Sequence, residues 1–344
     1  MLTSPAAEAL QRFGIASGAT IGLATTGAQS GTEPIEPAVA SYATADDGAR
    51  IYFEVFAPTR DSERRRRPQS QDVRPVLMVM GLGANGRLWA PAVRRTLAAG
   101  YPVITFDNRG CGRSSTPWHP WTTRTMAGDA VAVLDELGVE QAHVGAASLG
   151  GMIAQELALE FPERVSSLVL LATTGGFRRL DSASPEGLLH ILEALLRSLR
   201  PGGDPERRVR DFLCMAASED FAAQCRPGDE TWETVAAMLE EPASQRGLAL
   251  QLLAGMRHST WSRLPELSMP VQVHHGTEDP LVPLAAGREL ARRIRGARFE
   301  LHPGAGHGLF ERTDEAGERI LAFLAECEAT TAASSGDGGR HANA

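Results

Sequence analysis

Three side chains in this sequence have the types and settings of a covalent catalyst: Ser148, Asp279 and His307. An alcohol is a poor nucleophile at neutral pH and needs a base within hydrogen-bond reach. Histidine changes charge near pH 6.5 (roughly), so His307, in Gly304-Ala305-Gly306-His307-Gly308, can take a proton from Ser148 and return it. A carboxylate behind the ring orients it and stabilises its cation without taking the proton. Asp279, in Gly276-Thr277-Glu278-Asp279-Pro280, is the candidate, ahead of its neighbour Glu278.

The elements around these residues must hold them at one place. Gln141 to Ala147 reads as a short buried strand, and Met152 to Leu159 has apolar residues at helical spacing. Ser148 stands between them, in Gly145-Ala146-Ala147-Ser148-Leu149-Gly150-Gly151, and so tight a strand-to-helix turn requires small residues at Ala146 and Gly150. Asp279 follows a predicted strand near 270–276, and His307 follows one near 297–302. Serine, acid and histidine thus occur in that order, each just past a strand end.

With these motifs, the stretch from about Ser41 to Glu326 resembles the α/β-hydrolase family. The likeness extends to Met78-Val79-Met80-Gly81-Leu82-Gly83, similar to the family's oxyanion strand and turn, and to Asp107-Asn108-Arg109-Gly110-Cys111-Gly112-Arg113-Ser114, similar to its D-x-R-G-x-G-x-S segment. Ala146 departs from the usual first glycine of the elbow, and Met80 stands where many members carry histidine. The resemblance implies a mostly parallel sheet with helices on both faces and an inserted helical cap. It also implies an oxyanion hole made by the backbone N–H groups of Leu149 and Leu82. Gly81 and Gly83 would let the backbone approach the substrate. Trp118 and Trp121, after the Asp107 strand end, are candidates to line the pocket mouth, while Trp89 is assigned to the core. Met215, Met238 and Met256 are read as lid core ahead of substrate wall, and Asp129 and Asp181 as helix- and cap-surface residues.

On this reading the chain is a serine hydrolase that cleaves a carboxylic ester or lactone of a small, largely apolar substrate through an acyl-enzyme. Carbon–carbon bond hydrolysis, or cofactor-free lyase, cyclase or perhydrolase chemistry, would use the same triad. A ligand receptor that has kept the fold is the alternative outside enzymology. Epoxide hydrolases and haloalkane dehalogenases are disfavoured, because they carry aspartate where Ser148 stands. The glycine turn without its histidine and the modest cap are similar to bacterial esterases of secondary metabolism.

Composition narrows the classes further. All 34 basic residues are arginine, which excludes Schiff-base, P-loop and Ser-Lys chemistry. A net charge of −8 gives no reason to expect nucleic acid or an anionic membrane as partner. No apolar run approaches the roughly 20 residues that span a bilayer. Cys111, Cys214, Cys225 and Cys327 show no metal-ligand spacing and are expected as reduced thiols in a cytoplasmic protein, with Cys214/Cys225 the one plausible bridge. A small-molecule substrate, no metal and no cofactor are therefore expected, and a homo-oligomer is left open.

Along the chain, residues 1–37 read as a mobile extension with a short helix at Pro5 to Phe13. Residues 38–44 and 50–56 flank Asp46-Asp47-Gly48 as a hairpin. A polar loop with Arg64 to Arg67 follows. From Val76 strands and helices alternate, which argues for a parallel sheet covered on both faces. The core is placed at 38–175 and 266–328, the cap at 176–265, and a disordered tail at 329–344.

Overall fold

The computed structural model describes residues 35–58, 73–177 and 204–337. The expected helix near residue 5, the arginine run and Asp181 fall outside these residues. The described strands are β1 (Val39–Thr44), β2 (Arg50–Phe56), β3 (Val76–Val79), β4 (Val103–Phe106), β5 (Ala142–Ala147), β6 (Val165–Leu171), β7 (Val271–Gly276) and β8 (Arg298–His302). They form one sheet in the order β1-β2-β4-β3-β5-β6-β7-β8. β1 and β2 pair antiparallel as the expected hairpin, β2 and β4 also pair antiparallel, and every pair from β4 to β8 is parallel.

Every residue of β3 and β4 is buried, as expected of strands covered on both faces. Side chains alternate between those faces. Leu77, Val79, Val144, Ala146, Leu168 and Leu170 pack on one side. There they meet α2 (Thr123–Glu136), α3 (Leu149–Glu160) and α8 (Leu284–Arg293). Val76, Met78 and Val169 belong to the other side, under α1 (Ala90–Ala98) and α9 (Thr313–Asp337). Sequence explains the termini of these helices. Thr122 and Thr125 form a reciprocal capping box on α2, while α3 starts directly after Ser148 and is buried from Leu149 to Ala158.

Between β6 and β7 the described chain is helical: α4 (Pro205–Ala216), α5 (Glu219–Gln224), α6 (Glu230–Glu240) and α7 (Gln245–Arg257). Asp204, Ser218 and Ser244 each accept a backbone N–H at the start of its helix. α7 meets the core where Gly247 lies against Gly110, so closely that a Cβ on Gly247 would sit 2.0 Å from the Gly110 carbonyl oxygen.

Two differences from the sequence reading have local causes. The last helix continues past Ala329 to Asp337 instead of giving way to a disordered tail. The Thr330 and Thr331 hydroxyls donate to the Glu326 and Cys327 carbonyls, and the following alanines favour helix. Asp129 is not a surface residue but is buried in α2, where its carboxylate accepts from Arg109 Nε at 2.6 Å. All four cysteines are free thiols, so Cys214 and Cys225 are not bridged.

Several buried histidines are held neutral by the core. His258 faces the Thr123 hydroxyl at 2.9 Å, and burial pushes its pKa down to about 3. His274 stacks on His302 with Nδ1 2.9 Å from Nε2, and burial, then the neighbouring ring, push it down to about 3. In the unfolded chain both protonate near pH 6.5, roughly. Below that pH the unfolded state binds more protons, so stability is lost as pH falls from about 6.5 towards 3. The urea midpoint should therefore drop between pH 7 and pH 5, and His258→Gln should make that drop shallower. An equal drop in the variant would show that His258 carries none of it.

Candidate active site

Ser148 closes β5 with φ 55° and ψ −121°, a conformation that a non-glycine residue adopts only under constraint. The constraint is visible. The Ser148 N–H donates to the Leu171 carbonyl at 2.9 Å, and its carbonyl accepts from the Thr173 hydroxyl at 2.7 Å and the Gly151 N–H at 2.9 Å. Small residues are needed here, and at position 150 the nearest obstacle is another strand. A Cβ on Gly150 would lie 2.2 Å from the Val79 carbonyl oxygen and 2.7 Å from that of Met80. The end of β3 therefore sets the limit. Thr173 sets a second one, because a Cβ on Gly151 would strike its side chain.

β3 leads into the Gly81-Leu82-Gly83 turn, held by the Asn108 amide donating to the Met80 carbonyl at 2.7 Å. An added Cβ on Gly81 would stand 3.0 Å from Ser148 Cβ, so the turn passes directly over the serine. The Gly83 N–H is engaged by the Gln251 side-chain oxygen at 2.9 Å, so it is not a free donor in this turn. On the other side Leu149 is the first residue of α3, and N–H groups in a first helical turn have no intrahelical partner.

Asp279 follows β7 by three residues, and its side chain is fully buried. Gly276 permits this, because the Ala305–Gly306 backbone packs where a Cβ would be. Oδ1 accepts from the Leu281 and Val282 N–H groups, both at 2.9 Å. His307 Nδ1 lies 3.0 Å from Oδ1 and 2.9 Å from Oδ2. His275 Nε2 lies 2.9 Å from the Val282 carbonyl and 3.3 Å from Asp279 Oδ2, so its N–H points at both. Burial alone would raise the Asp279 pKa, but the two imidazoles outweigh it and hold the carboxyl well below the usual range. Glu278 does not take this place; its N–H donates to the Ala305 carbonyl.

The His307 loop is itself held by the inserted helices. Gly308 N–H donates to the Ala216 carbonyl at 2.5 Å, and the Glu311 carboxylate accepts from the Gly306 and Ser218 N–H groups. With Nδ1 engaged by Asp279, Nε2 is the ring nitrogen left to face a substrate.

A cavity of about 890 Å³ brings Ser148, His307, Gly81, Leu82, Gly83 and Leu149 to one surface. The volume is in the range of small-molecule sites. Met215, Met238 and Met256 line it, so all three are cavity wall and not simply lid core, and Trp89 lines it too. Trp118 and Trp121 do not. Trp118 is 86% exposed and lies on the Arg246 guanidinium, and Trp121 is buried in the core below Arg109.

Two contributors gave no sequence motif. Gln251 is buried, accepting from Gly83 and donating through Nε2 to the Arg109 carbonyl at 2.9 Å. It ties α7 to the glycine turn; its one sequence signal is a lone amide within Leu248-Ala249-Leu250-Gln251-Leu252-Leu253. His275 carried the weaker signal of a histidine inside a buried strand.

Fold and site together define an α/β hydrolase. Residues 74–312 match the family model for the alpha/beta hydrolase fold, and the chain belongs to that family. It is 33% identical over 258 residues to the protein called non-heme bromoperoxidase BpoC of Mycobacterium tuberculosis (strain H37Rv), covering 74% of this chain and 95% of that one. It is 30% identical over 272 residues to the poly(3-hydroxyalkanoate) depolymerase of Ectopseudomonas oleovorans, covering 75% and 87%. A hydrolase from Pseudomonas aeruginosa PA01 is similar in structure, with a TM-score of 0.66, 25% identity, and coverage of 83% of this chain and 98% of that one. Among the described residues no helix is long and apolar enough to cross a membrane.

The bond between His307 and Asp279 should appear in proton NMR as a far-downfield imidazole N–H resonance. Asp279→Asn should abolish it and Glu278→Gln should leave it. The reverse ranking would place the acid one residue earlier.

Proposed function

We propose that this chain is a serine hydrolase that cleaves a carboxylic ester or lactone of a small, largely apolar substrate through an acyl-enzyme. The observation that carries this reading is the pairing of a constrained serine with a histidine whose Nδ1 is held by a fully buried carboxylate, both open to one cavity. His307 Nε2 accepts the Ser148 proton as Oγ attacks the carbonyl carbon, and the N–H groups of Leu82 and Leu149 receive the developing oxyanion. Collapse expels the alcohol, which takes the proton from His307. Water, deprotonated by the same nitrogen, then releases the acid and restores Ser148. No step calls for a metal, nucleotide or redox group.

The depolymerase relative is named for a polyester, which supports the ester reading. The helices between β6 and β7, where the cap is placed, contribute Phe212, Met215, Leu248 and Leu252 to the cavity. They would choose the substrate while the sheet supplies the chemistry. Carbon–carbon hydrolysis, lyase or perhydrolase chemistry would need the same serine, so the substrate panel separates them.

The test is a panel of esters and lactones of graded acyl and alcohol size, with diketones included, run beside Ser148→Ala and Asp279→Asn. Ester or lactone turnover is expected. Ser148→Ala should remove roughly three decades or more of it, and Asp279→Asn on the order of four, with the melting temperature kept. Near-normal turnover in Ser148→Ala, or turnover confined to diketones, contradicts the proposal.

A further inference from the structure

The cavity does not end at the catalytic surface. It continues along the face of the sheet that carries α1 and α9, over Val76 and Met78 of β3, Gly145 of β5 and Val169 of β6. These residues lie side by side: Met78 pairs with Gly145, and Gly145 with Val169. Strand alternation turns Val76, Met78, Gly145 and Val169 to one face. Across from them the wall is Ala92 of α1 and Gly317, Leu321 and Leu324 of α9. Two independent rulers give the same depth. Gly81 to Val76, β3 and the two residues after it, is five residues, about 16 Å if extended at ~3.3 Å each. Thr313 to Leu324 is eleven helical residues, about 16 Å at ~1.5 Å each.

Gly145 shows that this space is open rather than filled. It sits in the middle of a sheet covered on both faces, between the fully buried Val144 and Ala146, yet it is itself half-buried. A Cβ built on it would meet nothing within 4 Å. Protein interiors are close-packed, and a glycine in a central strand forgoes both packing and strand propensity. Its effect here is to leave the channel clear at mid-depth.

We propose that this channel is the acyl-chain subsite of the enzyme and takes an unbranched alkyl chain of about twelve carbons. The proposal deepens the ester-hydrolase reading and rests on it for the bond that is cleaved. The contents follow from the walls. The floor is aliphatic and so is the α9 wall below Thr313, with Arg95 and Thr96 of α1 the polar side chains beside it, so the surface gained there is chiefly apolar. A C–C bond of ~1.52 Å at a tetrahedral angle advances about 1.25 Å per methylene, so 16 Å holds about twelve. The floor belongs to β3, β5 and β6, the strands of the oxyanion turn and the nucleophile. It takes no residue from β7 or β8, which bring Asp279 and His307. The chain therefore belongs to the acyl part that stays on Ser148, not to the alcohol that His307 protonates.

Two measurements test this. The first is kcat/KM for p-nitrophenyl esters from acetate to palmitate, with wild type and Gly145→Leu. The second is the Kd of saturated fatty acids from C4 to C16 for Ser148→Ala and for Ser148→Ala with Gly145→Leu, which needs no turnover. Affinity should rise roughly three- to fourfold per methylene and level off near C12. Gly145 lies three residues, about 10 Å, below Ser148, so Gly145→Leu should stop the rise near C8 (about 1.25 Å per methylene again) and cut the C12-to-C4 ratio at least tenfold. A flat chain-length profile in wild type overturns the channel. So does an unchanged profile in a folded Gly145→Leu protein, or a gain seen with long-chain alkyl acetates in place of long-chain acyl esters. Fatty-acid binding that is shortened by Gly145→Leu in a protein with no esterase activity would uphold the channel and overturn the hydrolase reading alone.

Discussion

The buried, ionised carboxylate of Asp279 is the constraint on which the rest of the site depends. Removing a carboxylate from water has an effective penalty of several kcal/mol (roughly) unless its lone pairs are satisfied. Here two backbone N–H groups, His307 and His275 surround it. The same bonds that keep the charge tolerable fix which nitrogen of His307 carries the proton. In the proposed mechanism they thus turn a loop histidine in a glycine-rich turn into a base that works through its other nitrogen. The requirement propagates outward: the loop 279–282 must close back on itself, and Gly276 must let Ala305 and Gly306 pass.

A second constraint meets the first at Ser148. Its positive φ costs about 1–3 kcal/mol and persists because Leu171, Thr173 and Gly151 all bond to its backbone. At Gly150 the backbone of β3 already occupies the space of a side chain, and at Gly151 the Thr173 side chain does. Gln251 adds a link that the sheet alone cannot supply. By bonding both Gly83 and Arg109, it makes α7 part of the glycine turn's support, so the helices between β6 and β7 bear on the turn proposed to hold the oxyanion. Ala216 and Ser218 do the same for the His307 loop.

Much of this was legible in the sequence. The order of Ser148, Asp279 and His307, each past a strand end, and the alternation of strand and helix from Val76 follow from short-range pattern. The structure has the core strands and helices close to those positions. What was not legible depends on contacts between residues far apart. Trp118 and Trp121 are three residues apart, yet one lies on the surface against Arg246 and the other in the core under Arg109. Loop geometry decides that, and no periodicity encodes it. Asp129 looked like an outward helix position because its partner, Arg109, lies 20 residues away. The cap methionines could not be divided between core and cavity wall, since both need an apolar, adaptable side chain. Gly145 read only as part of the elbow, and its open surroundings emerge when α1 and α9 are in place.

The central claim is that the Asp279–His307 pair activates Ser148 and no other side chain. Peptide mapping by mass spectrometry after a stoichiometric dose of a fluorophosphonate tests it most directly, because the reagent reports nucleophilicity without assuming a substrate. One adduct per chain, on Ser148, is predicted, with labelling slowed by orders of magnitude in His307→Ala. An adduct on another residue, or labelling of Ser148 at an undiminished rate in His307→Ala, would contradict the account.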